Sequence, residues 1–214
     1  MSKYDHILFD LDGTLTDSGP GIINGFEYSL GKMGIDVPDK ASLRKFVGPP
    51  LGDSFEKTLG FSPEDAAKGI AFYKEYYAEK GVYENDVYPG IPELLEKLKA
   101  SGKKLIVATT KAELMADVVM DHFGLRKYFD LIVASNNADR KNKIDVLNFA
   151  IENGGVDRER SVMVGDRFYD ITGAAHFGIE SVGVLYGYGS RQELEEAGAT
   201  YIAESVDSLY EILL

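Results

Sequence analysis

The chain has 214 residues, of which 44% are hydrophobic and 27% are charged, a composition typical of a globular protein with one sizeable core and room for a small insertion. The formal net charge of −12 argues against general binding to nucleic acid or to anionic membranes, and no apolar run approaches the ~18 residues of a membrane span. Cysteine is absent, which excludes disulfides, thiolate catalysis and cysteine zinc sites, and the acidic start does not fit a signal peptide, so we expect a cytoplasmic protein.

The first predicted strand, over 3–9, ends in two carboxylates. Asp10 and Asp12 follow the apolar run 7–9, and Gly13 then lets the backbone turn tightly. Two buried carboxylates repel each other, and burying them is costly unless a cation shares them. The stretch therefore indicates a metal site that contains a nucleophile, although an acidic turn after a strand would use the same residues.

The segment from 16 to 88 differs from the rest of the chain because it carries helical signals without intervening strands. Helices are predicted over 21–33, 43–59 and 62–80, and the second of them is interrupted by a Gly-Pro-Pro sequence at 48–50. We interpret this segment as a small helical cap domain inserted into a larger core.

The remainder of the chain alternates between strand and helix signals. Strands are predicted over 104–109, 130–134, 161–164, 181–185 and 200–203, and helices over 92–100, 112–123, 144–153, 169–177, 191–197 and 206–213. Such alternation predicts an α/β fold, a Rossmann-like parallel sheet with helices on both faces. Residues 1–15 and 89–214 would form this core, and 16–88 the cap.

Side chains that could bind an anion lie in the middle of the chain. The strand over 104–109 ends at Thr109 and Thr110, beside a predicted helix N-terminus whose free N–H groups favour a phosphate. We choose Thr109 as the main phosphate ligand, and helix capping by the two threonines is the alternative. The basic run 140–143 precedes another helix, and one or two of its side chains could reach the same site.

A second acidic cluster follows the apolar run 162–164. Gly165 makes the turn, Asp166 comes directly after it, and Asp170 lies in the first turn of the next predicted helix. Because parallel strands end at one edge of a sheet, where ligands bind, Asp166 is predicted to approach Asp10 and Asp12. Three oxygen donors with room for water suit Mg²⁺.

Taken in order, these motifs resemble the haloacid dehalogenase superfamily of phosphatases and related enzymes, over essentially the whole chain. The matching motifs are Asp10-x-Asp12-Gly13-Thr14, Thr109 at a strand end, a lysine, and Gly165-Asp166-x-x-x-Asp170.

The lysine motif departs from the Lys-Pro-x-Pro pattern of the phosphoglycolate phosphatase branch, because residues 141–145 contain no proline. Alignment to that pattern without a gap selects Lys141. The sequence over 143–147 instead resembles a 5′-nucleotidase-like or phosphoglycolate phosphatase-like subgroup, in which the lysine stands immediately before the helix. We therefore predict Lys143 as the site lysine, with Lys141 in reserve.

The resemblance implies a phosphatase that acts on a small phosphorylated metabolite, such as phosphoglycolate or a nucleoside monophosphate. Asp10 would attack phosphorus to give an aspartyl phosphate, and Asp12 would act as general acid and base. Mg²⁺ and the phosphoryl group would be held by Asp10, the backbone carbonyl of Asp12, Asp166, Asp170, Thr109, Thr110 and Lys143.

Other functions stay open. A phosphomutase of the same superfamily would share these motifs, and a signalling module phosphorylated on Asp10 would need a similar Mg²⁺ site. A hydrolytic dehalogenase, by contrast, expels halide and characteristically lacks the aspartate at position 12. We expect a monomer or a homodimer.

Overall fold

The computed structural model describes residues 3–37, 39–136 and 138–214. The strands, in chain order, are β1 (His6–Phe9), β2 (Thr16–Asp17), β3 (Asp86–Val87), β4 (Lys104–Ala112), β5 (Leu131–Ser135), β6 (Ser161–Gly165), β7 (Glu180–Val184) and β8 (Tyr201–Ala203). Six of these described strands form one sheet in the order β5-β4-β1-β6-β7-β8, and all of its neighbours pair in parallel.

Helices connect the strands. They are α1 (Gly19–Lys32), α2 (Leu51–Asp53), α3 (Pro63–Glu79), α4 (Ile91–Ala100), α5 (Glu113–His122), α6 (Lys143–Gly154), α7 (Phe168–His176), α8 (Arg191–Glu196) and α9 (Val206–Leu213). The predicted Rossmann-like α/β fold is confirmed by this parallel sheet and its helical connections. Among the described residues, no helix combines the length and the apolar character needed to cross a membrane.

The apolar core lies against the central strands. Leu8 of β1, Ile106 of β4 and Met163 of β6 are fully buried and pack with Val146 and Leu147 of α6. Side chains of a strand that is covered on both faces are apolar in succession rather than in alternation, which explains the continuous apolar runs in the sequence. Because β1 is buried between its neighbouring strands and helices, the residues that follow it are held in a defined position.

Contacts divide the chain into two compact units. One contains the residues up to Thr16 together with Val87–Leu214, and the other spans Asp17–Asp86. β2 and β3 pair with each other where the chain passes from one unit to the other. The role of the second unit as a cap stays a prediction.

The smaller unit has its own aromatic core. The ring of Phe26 in α1 stacks on Phe46 and Phe55, with centroids 4.5 and 5.1 Å apart, and lies 5.1 Å from the ring of Tyr73 in α3. The run predicted as one interrupted helix over 43–59 is instead a 3₁₀ turn over Lys40–Phe46, the short α2, and a π-helical turn over Ser54–Thr58. Gly48 between them has a φ of 104°, and the two prolines after it lack the N–H that a helix requires.

Candidate active site

The register of three central strands determines which residues meet at the carboxyl edge of the sheet. Phe9 at the end of β1 lies opposite Val107 of β4 and Val164 of β6. Asp10 is therefore the first residue beyond the paired part of β1, and its N–H donates to the carbonyl of Val164 at 2.9 Å. The residues that follow β1 and β6 consequently lie at one edge of the sheet, the edge at which open parallel sheets bind ligands.

Three carboxylates converge there. Asp10, Asp166 and Asp170 are buried, and each offers an oxygen within 4.8 Å of an oxygen of the others. Asp170 lies in the first turn of α7, where its Oδ2 accepts a hydrogen bond of 3.1 Å from the Arg167 N–H. A Cβ at Gly165 would lie 2.2 Å from the Asp170 carboxyl carbon, so this close approach requires glycine.

Lys143 lies among these carboxylates. Its Nζ is 3.1 Å from Asp10 Oδ1 and 2.7 Å from Asp170 Oδ1, and it donates to the carbonyl of Ala108 at 2.9 Å. Lys143 is the first residue of α6 and is buried. Lys141 is exposed, and its backbone N–H donates to the Asp145 carboxylate at 3.0 Å. The geometry thus joins Lys143, and not Lys141, to the carboxylate cluster.

The buried cluster carries an excess of negative charge. Three carboxylates face one ammonium, which leaves a formal charge of −2. Burial raises the pKa of Asp10 to about 6, against the opposing effect of Lys143, and burial together with Asp170 and Asp10 raises the pKa of Asp166 well above its usual range. Burial disfavours the charged form of Lys143, but the carboxylates of Asp10 and Asp170 outweigh it and raise its pKa. A divalent cation would balance this charge, so the oxygen donors fit Mg²⁺.

Asp12 has a separate partner, which the sequence analysis missed. Lys111 Nζ lies 2.8 Å from Oδ1 and 3.0 Å from Oδ2 of Asp12. Both side chains are largely buried, with exposed fractions of 5% for Lys111 and 14% for Asp12. The carboxylate of Asp12 is therefore oriented by an ammonium outside the three-carboxylate cluster. The signal for this pair was present, because Asp12 follows β1 and Lys111 lies near the end of β4, which pairs in parallel with β1.

The predicted threonines lie at the same edge. Thr109 is buried, and its Oγ1 accepts a hydrogen bond of 3.2 Å from the N–H of Lys111. β4 continues beyond the predicted end at 109 to Ala112, with a shift of register after Thr109, and Ala112 is the residue that precedes α5. Neither Thr109 nor the half-buried Thr110 occupies the N-cap position of that helix.

The remaining basic residue of the predicted group, Arg140, is held in place by neighbours. Its guanidinium lies 3.5 Å from the Glu113 carboxylate, 3.7 Å from the Asp139 carboxylate, and 4.6 Å from the ring centre of Phe149. Among the described residues, the Nε of Arg140 has no hydrogen-bond partner, and the observed ion pairs of Arg140 do not include the carboxylate cluster.

A second group missed by the sequence analysis approaches Asp166. The N–H of Tyr188 donates to Asp166 Oδ2 at 2.8 Å, and the hydroxyl of Thr14 lies 3.5 Å from Asp166 Oδ1. The sequence signal was the alternation of tyrosine and glycine over 186–189 directly after a strand, which is typical of a backbone that approaches another group closely.

The fold is that of an α/β protein of the Rossmann-like kind, and the cluster of carboxylates lies at the carboxyl edge of its parallel sheet, the edge at which proteins of this class bind ligands. Residues 7–184 match the model of the haloacid dehalogenase-like hydrolase family, and the chain belongs to this family.

Relatives of the chain carry several names. A protein of Pseudomonas aeruginosa named 5′-nucleotidase is 39% identical over 212 residues, which cover 99% of this chain and 96% of that protein. A Mycobacterium tuberculosis protein named tyrosine-protein kinase PtkA is 39% identical over 210 residues, or 97% of this chain and 72% of that protein. The solved structure of a predicted phosphatase from Clostridium acetobutylicum is 47% identical, covers 97% of both chains and has a TM-score of 0.93. The predicted family, and the prediction of an enzyme of its phosphatase type, are confirmed.

Proposed function

We propose that this protein is a Mg²⁺-dependent phosphatase that hydrolyses a small phosphate monoester through an aspartyl phosphate on Asp10. The observation that carries the proposal is the buried cluster of Asp10, Asp166, Asp170 and Lys143, whose formal charge of −2 suits a divalent cation. A cytoplasmic location, and a monomeric or homodimeric state, belong to the proposal as predictions from the sequence.

In the first half-reaction, a carboxylate oxygen of Asp10 attacks phosphorus, and the bond between phosphorus and the leaving oxygen breaks. Asp12 donates its proton to that oxygen, and the alcohol departs. In the second half-reaction, Asp12 takes a proton from water while the water oxygen attacks phosphorus. The Asp10 carboxylate and inorganic phosphate are thereby released.

The other residues at the edge of the sheet would hold charge in place. Asp10, Asp166 and the backbone carbonyl of Asp12 would hold Mg²⁺, which would supply positive charge opposite the phosphoryl oxygens. Asp170 would help to orient the groups around the metal, and it also contacts Lys143. The phosphoryl oxygens would be bound by Lys143 at the start of α6 and by Thr109 and Thr110 in the last part of β4.

The substrate we propose is a nucleoside monophosphate or phosphoglycolate. The name 5′-nucleotidase of the Pseudomonas aeruginosa relative, which this chain matches over nearly its full length, supports the former. The resemblance of residues 143–147 to a 5′-nucleotidase-like or phosphoglycolate phosphatase-like subgroup is consistent with either substrate. A different relative is named a tyrosine-protein kinase, and for this reason ATP is included among the compounds tested.

The purified protein is expected to release phosphate from at least one of a panel of nucleoside monophosphates, phosphoglycolate and sugar phosphates. Treatment with EDTA should abolish release and added Mg²⁺ should restore it, because the carboxylate cluster repels a phosphate without the cation. Phosphate release is measured colorimetrically.

The same assay distinguishes the alternatives. Failure on the whole panel, with a long-lived aspartyl phosphate on Asp10, would favour a signalling module. Conversion of a sugar phosphate to its isomer without release of phosphate would favour a phosphomutase. Transfer of phosphate from ATP to an added tyrosine peptide, without monoester hydrolysis, would contradict the phosphatase proposal.

Asp12→Asn is expected to lower kcat/KM by ~10²–10⁴-fold on an alkyl phosphate, because the alkoxide leaving group needs a proton and kcat/KM reports only the half-reaction in which that group departs. The loss should be much smaller on p-nitrophenyl phosphate, whose leaving group departs as a stable anion. Steady-state kinetics on the two substrates make the comparison. An equal loss on both would show that Asp12 does not protonate the leaving group.

A further inference from the structure

The backbone of the segment Tyr186–Gly189, which follows β7, lies directly against Asp166. The N–H of Tyr188 donates to Asp166 Oδ2 at 2.8 Å. Asp166 is 1% exposed, so this backbone N–H replaces a water molecule that an exposed carboxylate would bind. Because the donor is a backbone N–H, a change of side-chain rotamer at Tyr188 cannot break this hydrogen bond to Asp166 Oδ2.

The approach is close enough to exclude any side chain. A Cβ at Gly187 would lie 2.3 Å from the carbonyl oxygen of Gly13 and 2.4 Å from Asp166 Cβ, and a Cβ at Gly189 would lie 2.0 Å from the carbonyl oxygen of Asp166. Neither Gly187 nor Gly189 has a positive φ. Glycine is required at these two positions by space and not by backbone conformation, so the segment is packed against Asp166 and the turn after Asp12.

Tyr186 anchors the segment at its start. Its hydroxyl donates to the carbonyl of Thr14 at 3.2 Å, and its ring meets that of Tyr88 edge to face, with centroids 4.9 Å apart. The hydroxyl of Thr14 in turn lies 3.5 Å from Asp166 Oδ1. The anchor and the carboxylate that it positions are thus both tied to Thr14.

We propose that Tyr186–Gly189 is a positioning segment, which holds the Asp166 carboxylate in the orientation that binds the divalent cation. The inference rests on the proposed function, because it assigns a role toward the same cation. Groups that orient a metal ligand commonly change metal affinity by about 10–100-fold when they are altered. The segment acts through Asp166 and touches no reacting atom, so its effect should appear in metal affinity.

The test is a direct measurement of metal binding. Binding of Mn²⁺ is followed by the electron paramagnetic resonance signal of the free ion, and Mg²⁺ is measured by competition. Gly187→Ala is expected to raise the dissociation constant for both ions by about 10–100-fold. Gly31→Ala is the matched control, because a Cβ at this position of α1 meets nothing within 4 Å. Its dissociation constant should equal that of the wild type.

A milder variant keeps the test decisive if Gly187→Ala does not fold. Tyr186→Phe removes the hydroxyl that donates to Thr14 and leaves the ring in place, so the dissociation constant is expected to rise by about two- to tenfold. Thermal unfolding of the metal-free variants separates a loss of stability from a loss of affinity.

The metal affinities of the variants and of the wild type test two different proposals. Wild-type metal affinity in the folded variants would overturn the positioning role, even if their metal-free stability were reduced. Failure of the wild-type protein to bind Mn²⁺ or Mg²⁺ would overturn the proposed function instead.

Discussion

Asp10→Asn is expected to reduce phosphate release by on the order of 10⁴- to 10⁶-fold, the loss typical of removing an enzyme nucleophile, while the protein stays folded. The amide cannot form the acyl phosphate, although it has nearly the shape of the carboxylate that it replaces. The fold should tolerate the change because Asp10 is a buried carboxylate whose raised pKa, about 6, shows that burial disfavours its charge.

Two measurements check this result. Initial rates give the loss of turnover, and mass spectrometry of acid-quenched enzyme detects a phosphoryl group on the wild type but not on the variant. Asp207→Asn, at an exposed position of α9, makes the same chemical change away from the site and should leave the rate unchanged. Phosphorylated Asp10→Asn protein, or turnover within tenfold of the wild type, would exclude Asp10 as the nucleophile.

Lys143→Met is expected to destabilise the metal-free protein by about 3–5 kcal/mol and to abolish turnover. Removal of one partner from a buried ion pair leaves the remaining charges without compensation, and here three carboxylates would remain. Lys141→Met removes the same charge from an exposed side chain and should change stability by less than about 0.5 kcal/mol, with turnover near that of the wild type.

Urea unfolding with and without Mg²⁺ measures both variants. The cation should restore part of the stability lost in Lys143→Met, because it binds the folded carboxylate cluster and supplies positive charge there. Should Lys141→Met lose turnover while Lys143→Met keeps it, the assignment of the site lysine would be reversed.

The contrast between these two lysines illustrates what a sequence motif can decide. Both lysines fit a lysine motif at the start of the same helix, and the choice between them depended on a family pattern. The structure separates them physically: Lys143, the first residue of α6, reaches Asp10 and Asp170, whereas Lys141 lies before the helix and is exposed. Two residues along the chain at a helix start point in different directions, and a linear pattern does not record direction.

Asp12 shows a different limit. The position of the residue beyond a strand end was predictable, but its ion pair with Lys111 was not predicted, because the two residues are 99 positions apart in the chain. The segment Tyr186–Gly189 was missed for a related reason. The alternation of tyrosine and glycine indicates a close approach of the backbone. The contact itself is made by a backbone N–H, which every residue except proline carries, so residue identity does not show which group Tyr188 contacts.

The sequence by itself determined the α/β fold and the segments that end at the site. Apolar runs and their spacing are local properties, and parallel pairing then brings the ends of all the strands to one edge. Tertiary structure alone decided which of the groups at that edge touch. In the structure, Lys143 lies between two carboxylates, Asp12 pairs with Lys111, and the Tyr188 N–H donates to Asp166. Such contacts depend on strand register and on the direction of side chains from segments that are distant in the chain.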